Sequence, residues 1–391
     1  MPICLRRLVD RNNLTIWASI GFLVLLCGAW VLPSNKLYHQ LLIFLLWLPA
    51  LLGLLHRDFR SMLKQLDCAL FAMFVVWTLV VLMVEGGDNA LGKSKVVLYV
   101  TLTLAGVLLA AQNRHWRLET MVLGASILGG LFAAASWVYF YGLSARPLSD
   151  RLIAIGLWNT PIMAAHAVGS LAIMGVFTWR STHLKPALMA LLMIAALGYL
   201  LFLGSNQTRG VWIGLGACLL VMAMARPSRL GGARVALVVV GVALVAAFEP
   251  EILLQRGLSY RPQLWRGGIQ LMLDHWTMGV GFHSYLIPVP EIGQAFKHPH
   301  NLFLDTGVRL GVPGLLLFGG LWLVAGWRGW MCRAQPLGQV LLALWVFASV
   351  SLMTDGIGLW LKPNADWLVI WLPIALSIVL AARGRAAGTS S

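Results

Sequence analysis

The sequence predicts an all-α, polytopic membrane protein of about twelve transmembrane helices with one large periplasmic loop. Three observations predict it. Of 391 residues, 59% are hydrophobic and only 11% charged, whereas a water-soluble domain of that length needs a far larger polar surface. The apolar residues come in blocks of roughly 16 to 22, about the length that crosses a ~30 Å hydrocarbon core as a helix. Basic residues, finally, concentrate in every second connection between those blocks.

The spans fall at about 14–32, 37–55, 67–84, 96–111, 119–143, 161–179, 187–203, 211–225, 235–248, 310–327, 339–357 and 367–382. The N-terminus carries Arg6, Arg7 and Arg11 ahead of an apolar stretch without a small-residue cleavage site, which reads as an uncleaved first helix. The connections on the same side hold basic residues such as Arg57, Arg60, Arg114, Arg117, Arg226, Arg328 and Arg383. The opposite short loops hold Lys36, Lys93, Lys95, Arg146, Arg151, Arg209 and Lys362. Roughly 17 basic residues against 7 puts both termini in the cytoplasm by the positive-inside rule. The same rule accounts for the net charge of +15 without nucleic acid. Cys4, Cys27, Cys68, Cys218 and Cys332 are scattered and form no Cys-x-x-Cys pair, so neither a disulfide nor a zinc site is expected.

Three regions result: helices one to nine over 1–248, a periplasmic loop over 249–309, and helices ten to twelve with a cytoplasmic tail over 310–391. A loop of about 60 residues is unusual, and such loops are often functional. Trp265, Ile269, Leu271 and Met272 stand near helical spacing, predicting a helix over 261–274 on or in the membrane surface.

Chemistry-bearing residues gather at this loop. In Lys297-His298-Pro299-His300-Asn301, a helix starting near His300 or Asn301 puts an imidazole beside a positive helix end, which favours the neutral form a general base needs. An interfacial histidine that caps a helix fits the same spacing. Arg209 lies in the polar turn Ser205-Asn206-Gln207-Thr208-Arg209-Gly210 between two apolar spans. It suits a phosphate, since guanidinium makes paired hydrogen bonds to phosphate oxygens, and it equally suits snorkelling to headgroups. Arg261 and Arg266 flank Trp265, a residue able to stack on a sugar, and either arginine reads as site or as solvated charge. Asp274, Asp305 and Asp366 lack metal-like spacing; structural roles and no metal are expected.

His300-Asn301, nine residues, then Gly311-x-x-Gly314 resembles the His-[Asn/Ser/Gln]-x9-Gly-x-x-Gly signature of bacterial O-antigen ligases, in the superfamily that also holds O-antigen polymerases and membrane O-oligosaccharyltransferases. Thr208-Arg209-Gly210 resembles that family's arginine turn, and Arg261…Trp265 with Gly279-Val280-Gly281 resembles its arginine–tryptophan–Gly-x-Gly stretch. Met278 departs from the family's usual leucine. The likeness covers topology along the chain and sequence mainly over 204–314.

The resemblance implies a metal-independent, inverting glycosyltransferase without a cofactor. Its donor would be a polysaccharide on undecaprenyl pyrophosphate and its acceptor a sugar hydroxyl of lipid A–core, joined on the periplasmic side of a bacterial inner membrane. His300 would be the general base, with Arg209 and Arg261 on the pyrophosphate. Arg266, Gln207, Asn301, His298 and Trp265 would contribute to substrate binding. A polymerase or a protein O-oligosaccharyltransferase shares these residues. A lipid-linked glycan transporter fits less well, because transporters tend to place ionisable groups near mid-membrane.

Overall fold

The computed structural model describes residues 10–158, 160–179, 185–227, 231–233, 235–236, 239–241, 260–356 and 358–388. Among these, ten helices are long and apolar enough to cross a membrane: α1 Arg11–Val31, α2 Asn35–Gly53, α4 Leu66–Val84, α5 Ala90–Ala110, α6 Leu118–Leu143, α7 Pro161–Thr178, α8 Pro186–Asn206, α11 Leu302–Met331, α12 Pro336–Asp355 and α13, whose apolar window is Asp366–Arg385. A shorter apolar helix, α9 (Arg209–Ala225), follows α8. The short α3 (Arg57–Met62) joins α2 to α4, and α10 (Arg261–Asp274) lies in the large loop. This is an all-α, multi-pass membrane architecture. The ninth predicted span, 235–248, falls largely outside the described residues, as do Cys4 and the opening of the large loop.

Local chemistry sets the helix starts. Pro161, Pro186 and Pro336 open α7, α8 and α12, where a missing N–H removes no helical bond. Ser34, Asn89, Thr160 and Asn301 cap α2, α5, α7 and α11 by accepting from Leu37, Gly92, Met163 and Leu304 amides. Buried hydroxyls inside the spans, such as Ser19, Thr78, Ser126 and Ser170, donate to the carbonyl four residues back. The outer face of α8 presents Met193, Leu197 and Leu200, as a helix bordered by lipid does.

The bundle packs α8 on α6, α9 on α12, and α11 on α4 and α12, around one continuous apolar core. At one end, Arg11 reaches Asp58 and Gln112, while Arg383 bonds Glu119. The start of α1 and the last turns of α13 therefore share that end. The opposite end carries the large loop, which has its own small core of Leu264, Tyr285, Ile287, Val289, Leu304 and Val308. A two-stranded antiparallel hairpin, β1 (Ile287–Val289) and β2 (Gln294–Phe296), completes this cap. Such three-residue strands carry too little alternation to be read from sequence.

One boundary differs from expectation. The helix expected to begin at 310 begins at Leu302 and runs to Met331 with a break at Gly311. Gly311 has φ 68° and ψ −178°, a region essentially confined to glycine. Pro313 lacks the N–H that would pair with the Arg309 carbonyl. The freed carbonyls are all satisfied elsewhere. Val308 and Arg309 accept from the Val280 and Gly281 amides, Leu310 accepts from the Trp77 indole at 2.8 Å, and the Val312 amide turns to the Trp276 carbonyl. Gly279-Val280-Gly281 thus seals the kink that Gly311 and Pro313 create. Within 302–310, Leu304 and Val308 pack into the cap, while Leu302 and Leu310 join the core of the bundle.

Candidate functional site

The site is built on the last two residues of α12 and the one that follows, Thr354-Asp355-Gly356. Three separate segments each meet this triplet. The first is α10, which begins at Arg261 with Pro262 in its opening turn. Its Arg261 guanidinium donates through Nε to the Thr354 carbonyl at 2.8 Å and through Nη2 to Asp355 Oδ1 at 2.7 Å. The pair is largely buried, with side-chain exposures of 22% and 7%. Two of the five guanidinium N–H groups are used, which leaves three for a ligand.

The second segment is the turn between α8 and α9. Gln207 takes a left-handed conformation at φ 55° and stops α8, and Thr208 precedes α9, so Arg209 is the first residue of a helix whose positive end faces the site. Gly210 passes so close to α12 that an added Cβ would lie 2.4 Å from Thr354 Oγ1 and 3.0 Å from Asp355 Oδ2. Only glycine permits this approach. Arg151 braces the turn, donating to the Asn206 carbonyl and the Thr208 hydroxyl at 3.1 Å each. Asn206 in turn donates to the Leu152 and Pro161 carbonyls.

The third segment is the histidine pair ahead of α11. Leu302 packs on Gly356, and Asn301 caps the helix through Leu304 N at 3.0 Å. His300 adopts φ 52°, and left-handed conformations of ordinary residues collect at functional sites. Its ring lies 4.1 Å from that of His298, centroid to centroid. Burial above all, then His298 and then Arg261, pushes the His300 imidazole down to about 4, so it is neutral at pH 7. His298 is lowered too, chiefly by burial, and its Nδ1 is buried without a partner.

The other sequence candidates fall less centrally. Trp265 packs into the small core of the cap, with its indole N–H buried and unpartnered. Arg266 is exposed; five residues along a helix turn it about 140° away from Arg261. Asp305 holds Arg309 and accepts from the Tyr285 phenol. Asp366 pairs with His166 at 3.0 Å. Sequence reasoning missed Thr354, Asp355, Arg151 and His166. For Asp355 and His166 the available signal was an ionisable side chain inside an apolar span, which by itself marks a candidate site; Thr354 and Arg151 carry no such signal.

The cap is fixed to the bundle beside this site. Asp88 accepts from the Ser284 amide at 2.9 Å and from its hydroxyl at 2.6 Å, and Gly87 bridges Phe282. A family model described as O-antigen ligase matches residues 194–319. That range takes in the α8–α9 turn, α10, the histidine pair and the kink, and it ends before Asp355. An O-antigen ligase from Pseudomonas aeruginosa is 28% identical over 366 residues, covering 92% of this chain and 90% of the relative. A glycine kink sealed by Gly-x-Gly, the His-Asn cap ahead of it and the arginine turn all lie within the matched region, and it is there, and more thinly along most of its length, that the chain is similar to O-antigen ligases.

Proposed function

We propose that this chain transfers an O-antigen polysaccharide from undecaprenyl pyrophosphate to a sugar hydroxyl of lipid A–core, on the periplasmic side of the inner membrane. The observation that carries the reading is the convergence of three segments, bearing Arg209, Arg261 and His300, on the single triplet 354–356. The basic end that holds Arg11 and Arg383 is then cytoplasmic, and the end under the cap is periplasmic.

The chemistry follows from the side chains. Arg261 is fixed on two edges by Thr354 and Asp355, and its remaining donors suit a pyrophosphate oxygen. Arg209 adds a second cation at a helix start, where anions are already favoured. His300 accepts the proton of the acceptor hydroxyl as that oxygen forms its bond to the anomeric carbon. The bond from that carbon to the pyrophosphate oxygen breaks on the opposite face, so the centre inverts. The electron pair leaves with undecaprenyl pyrophosphate, whose growing charge the two guanidinium groups offset. They supply the countercharge that a metal would, so the reading calls for neither metal nor cofactor.

An imidazole near 4 is a weak base, but the arriving anion raises its proton affinity. The base is therefore strongest when donor is bound. His298, Asn301 and Gln207 shape the surrounding wall, and Trp265 and Arg266 act more remotely, from the cap.

The test is transfer by the purified protein with lipid-linked glycan and, in parallel, lipid A–core, a second lipid-linked glycan or a protein acceptor. Product is expected with lipid A–core, and His300→Ala is expected to cut turnover by roughly 10²–10⁴-fold. Product only with a second glycan would make the chain a polymerase, and only with protein an oligosaccharyltransferase. Undiminished transfer by His300→Ala would remove the base.

A further inference from the structure

At the end under the cap, a second recess lies farther along α11 than the arginine site, and the transfer chemistry above does not use it. It measures about 350 Å³ with the space open to solvent included. That is the small end of ligand sites, suited to a charged head and not to a chain. Its walls come from four places. Lys93 comes from the first turn of α5, Phe282 from beside the Gly-x-Gly loop, Asp305, Thr306 and Arg309 from α11, and Trp360 from the connection between α12 and α13. Gly358 lets that connection approach α11: an added Cβ would lie 3.2 Å from Asp305 Oδ2, and its φ of 151° is one that side chains rarely permit.

Two cations share this recess, and one carboxylate answers them. Asp305 is 1% exposed and already engaged. Arg309 Nε meets its two oxygens at 3.2 and 3.1 Å, and the Tyr285 phenol donates to Oδ1. Arg309 Nη1 donates to the His283 carbonyl at 3.4 Å, and Nη2 has no partner among the described residues. Lys93 Nζ donates to the Trp360 carbonyl at 3.1 Å and lies 5.8 Å from the centre of the Phe282 ring. Among the described residues it has no carboxylate partner, and two of its three N–H donors are unspent. Trp360 is 3% exposed, and its indole N–H is buried without a partner, a condition that calls for a reason. An ammonium, one edge of a guanidinium and an indole N–H are thus left over around one small space.

We propose that this recess binds a phosphate group of the acceptor, the lipid A–core oligosaccharide, and so steers its reacting hydroxyl to His300. A phosphate monoester carries close to two negative charges and three strong acceptor oxygens, which match the surplus cation and the three leftover donor groups. The pyrophosphate at Arg261 lies too far off to fill it. Leu302 packs on Gly356 at the arginine site, and Arg309 stands seven residues further along the helix. That is roughly 10 Å of helix, more than the two phosphates of one pyrophosphate span. The anion held here is therefore a second one. His300 stands just ahead of α11, so one helical segment carries the base at its start and the phosphate ligand two turns on. An inverting attack needs the acceptor on the side away from the leaving group, and a recess set apart from the arginines on the base's own helix provides for it. The proposal rests on the reading that lipid A–core is the acceptor.

The structural alternative is a tether: Lys93 merely ties α5 to the connection through the Trp360 carbonyl. Lys93→Gln separates the two, because it keeps an N–H donor for that carbonyl and removes the charge. Steady-state transfer is measured on the full-length protein in nanodiscs of zwitterionic lipid, with undecaprenyl pyrophosphate-linked glycan and lipid A–core, intact or stripped of its phosphates. The wild-type protein is expected to show an acceptor KM about tenfold higher for the stripped acceptor, with donor KM unchanged. Lys93→Gln is expected to raise acceptor KM about tenfold for the intact acceptor and little for the stripped one, and Lys93→Arg to restore most of the loss. Equal losses of Lys93→Gln on both acceptors, or a rise in donor KM instead, would overturn the proposal. So would a wild-type protein that is indifferent to acceptor phosphate, and that comparison needs no variant to fold. A rate that depends on anionic phospholipid added to the nanodisc, and not on acceptor phosphate, would assign the recess to a membrane head group and overturn it as well. If wild-type protein transfers to neither form of lipid A–core but does transfer to a second glycan or a protein, the acceptor reading itself has failed and this inference falls with it.

Discussion

The two ends of the bundle each bury an arginine–carboxylate pair, and the pairs are built differently. At the end shared by α1 and α13, Asp67 takes both edges of the Arg328 guanidinium and also accepts from Ser377, joining α4, α11 and α13. Its oxygens are used up within the chain. At the other end, Asp355 takes a single bond from Arg261, and its second oxygen lies against the Gly210 backbone. Around that pair, His166 Nε2 and His298 Nδ1 are buried without partners. The first arrangement is a closed fastening. The second holds a cation in place while leaving donors unspent, which is what recognition of a pyrophosphate requires.

The largest expected consequence comes from making the same conservative change at both ends. Lysine keeps the charge and loses the planar fork. Arg261→Lys should lower transfer by about a hundredfold with little change in melting temperature. Arg328→Lys should lower stability by roughly 1–3 kcal/mol and leave turnover per folded molecule unaltered. Thermal melting in detergent beside initial rates separates the two, and matched losses in both assays at both positions would erase the distinction.

Acid titration gives the next effect. The His300 imidazole lies below its ordinary value, so it is neutral at pH 7 and gains its proton only as pH falls through about 4. Transfer measured as kcat/KM should hold level from neutrality down to about pH 4 and fall roughly tenfold per unit below that. The kcat profile should turn down at higher pH, because bound pyrophosphate raises the imidazole's proton affinity. A kcat/KM limb near the ordinary imidazole value would contradict the burial that sets the native one.

The smallest effect is expected at the kink. Trp77→Phe removes the donor to the Leu310 carbonyl and should cost about 1 kcal/mol. Because the kink aims the segment behind His300, transfer should drop a few-fold more than the stability change explains. Loss of stability alone would mean that the seal tolerates one missing bond.

Much of the fold was legible because apolar blocks have sharp edges. The loop helix over 261–274 corresponds residue for residue to α10, since its hydrophobic spacing stands out in a polar stretch. Asp355 was not legible for the opposite reason: one acid among thirteen apolar residues of the span 339–357 vanishes into the average that defines it. The start of α11 was misplaced because Gly311-Val312-Pro313-Gly314 is a genuine helix opening, but of the second half of a broken helix. Arg209, Arg261 and His300 were legible through local turn chemistry. The carboxylate they gather around is 55 residues or more from each of them in sequence, and no local pattern points to it.

The break at Gly311 has a mechanical consequence. His300 and Arg261 both ride on elements anchored in the cap, whose interior is Leu264, Tyr285, Leu304 and Val308, while Arg209 is rooted in the bundle. Arg261 and Leu302 pin those elements to Thr354, Asp355 and Gly356, so the gap between the base and the arginines is set where the cap meets α12. Leu304 and Val308, packed inside the cap, back the segment that follows His300, so a change in their size is expected to shift the imidazole without altering a single polar group.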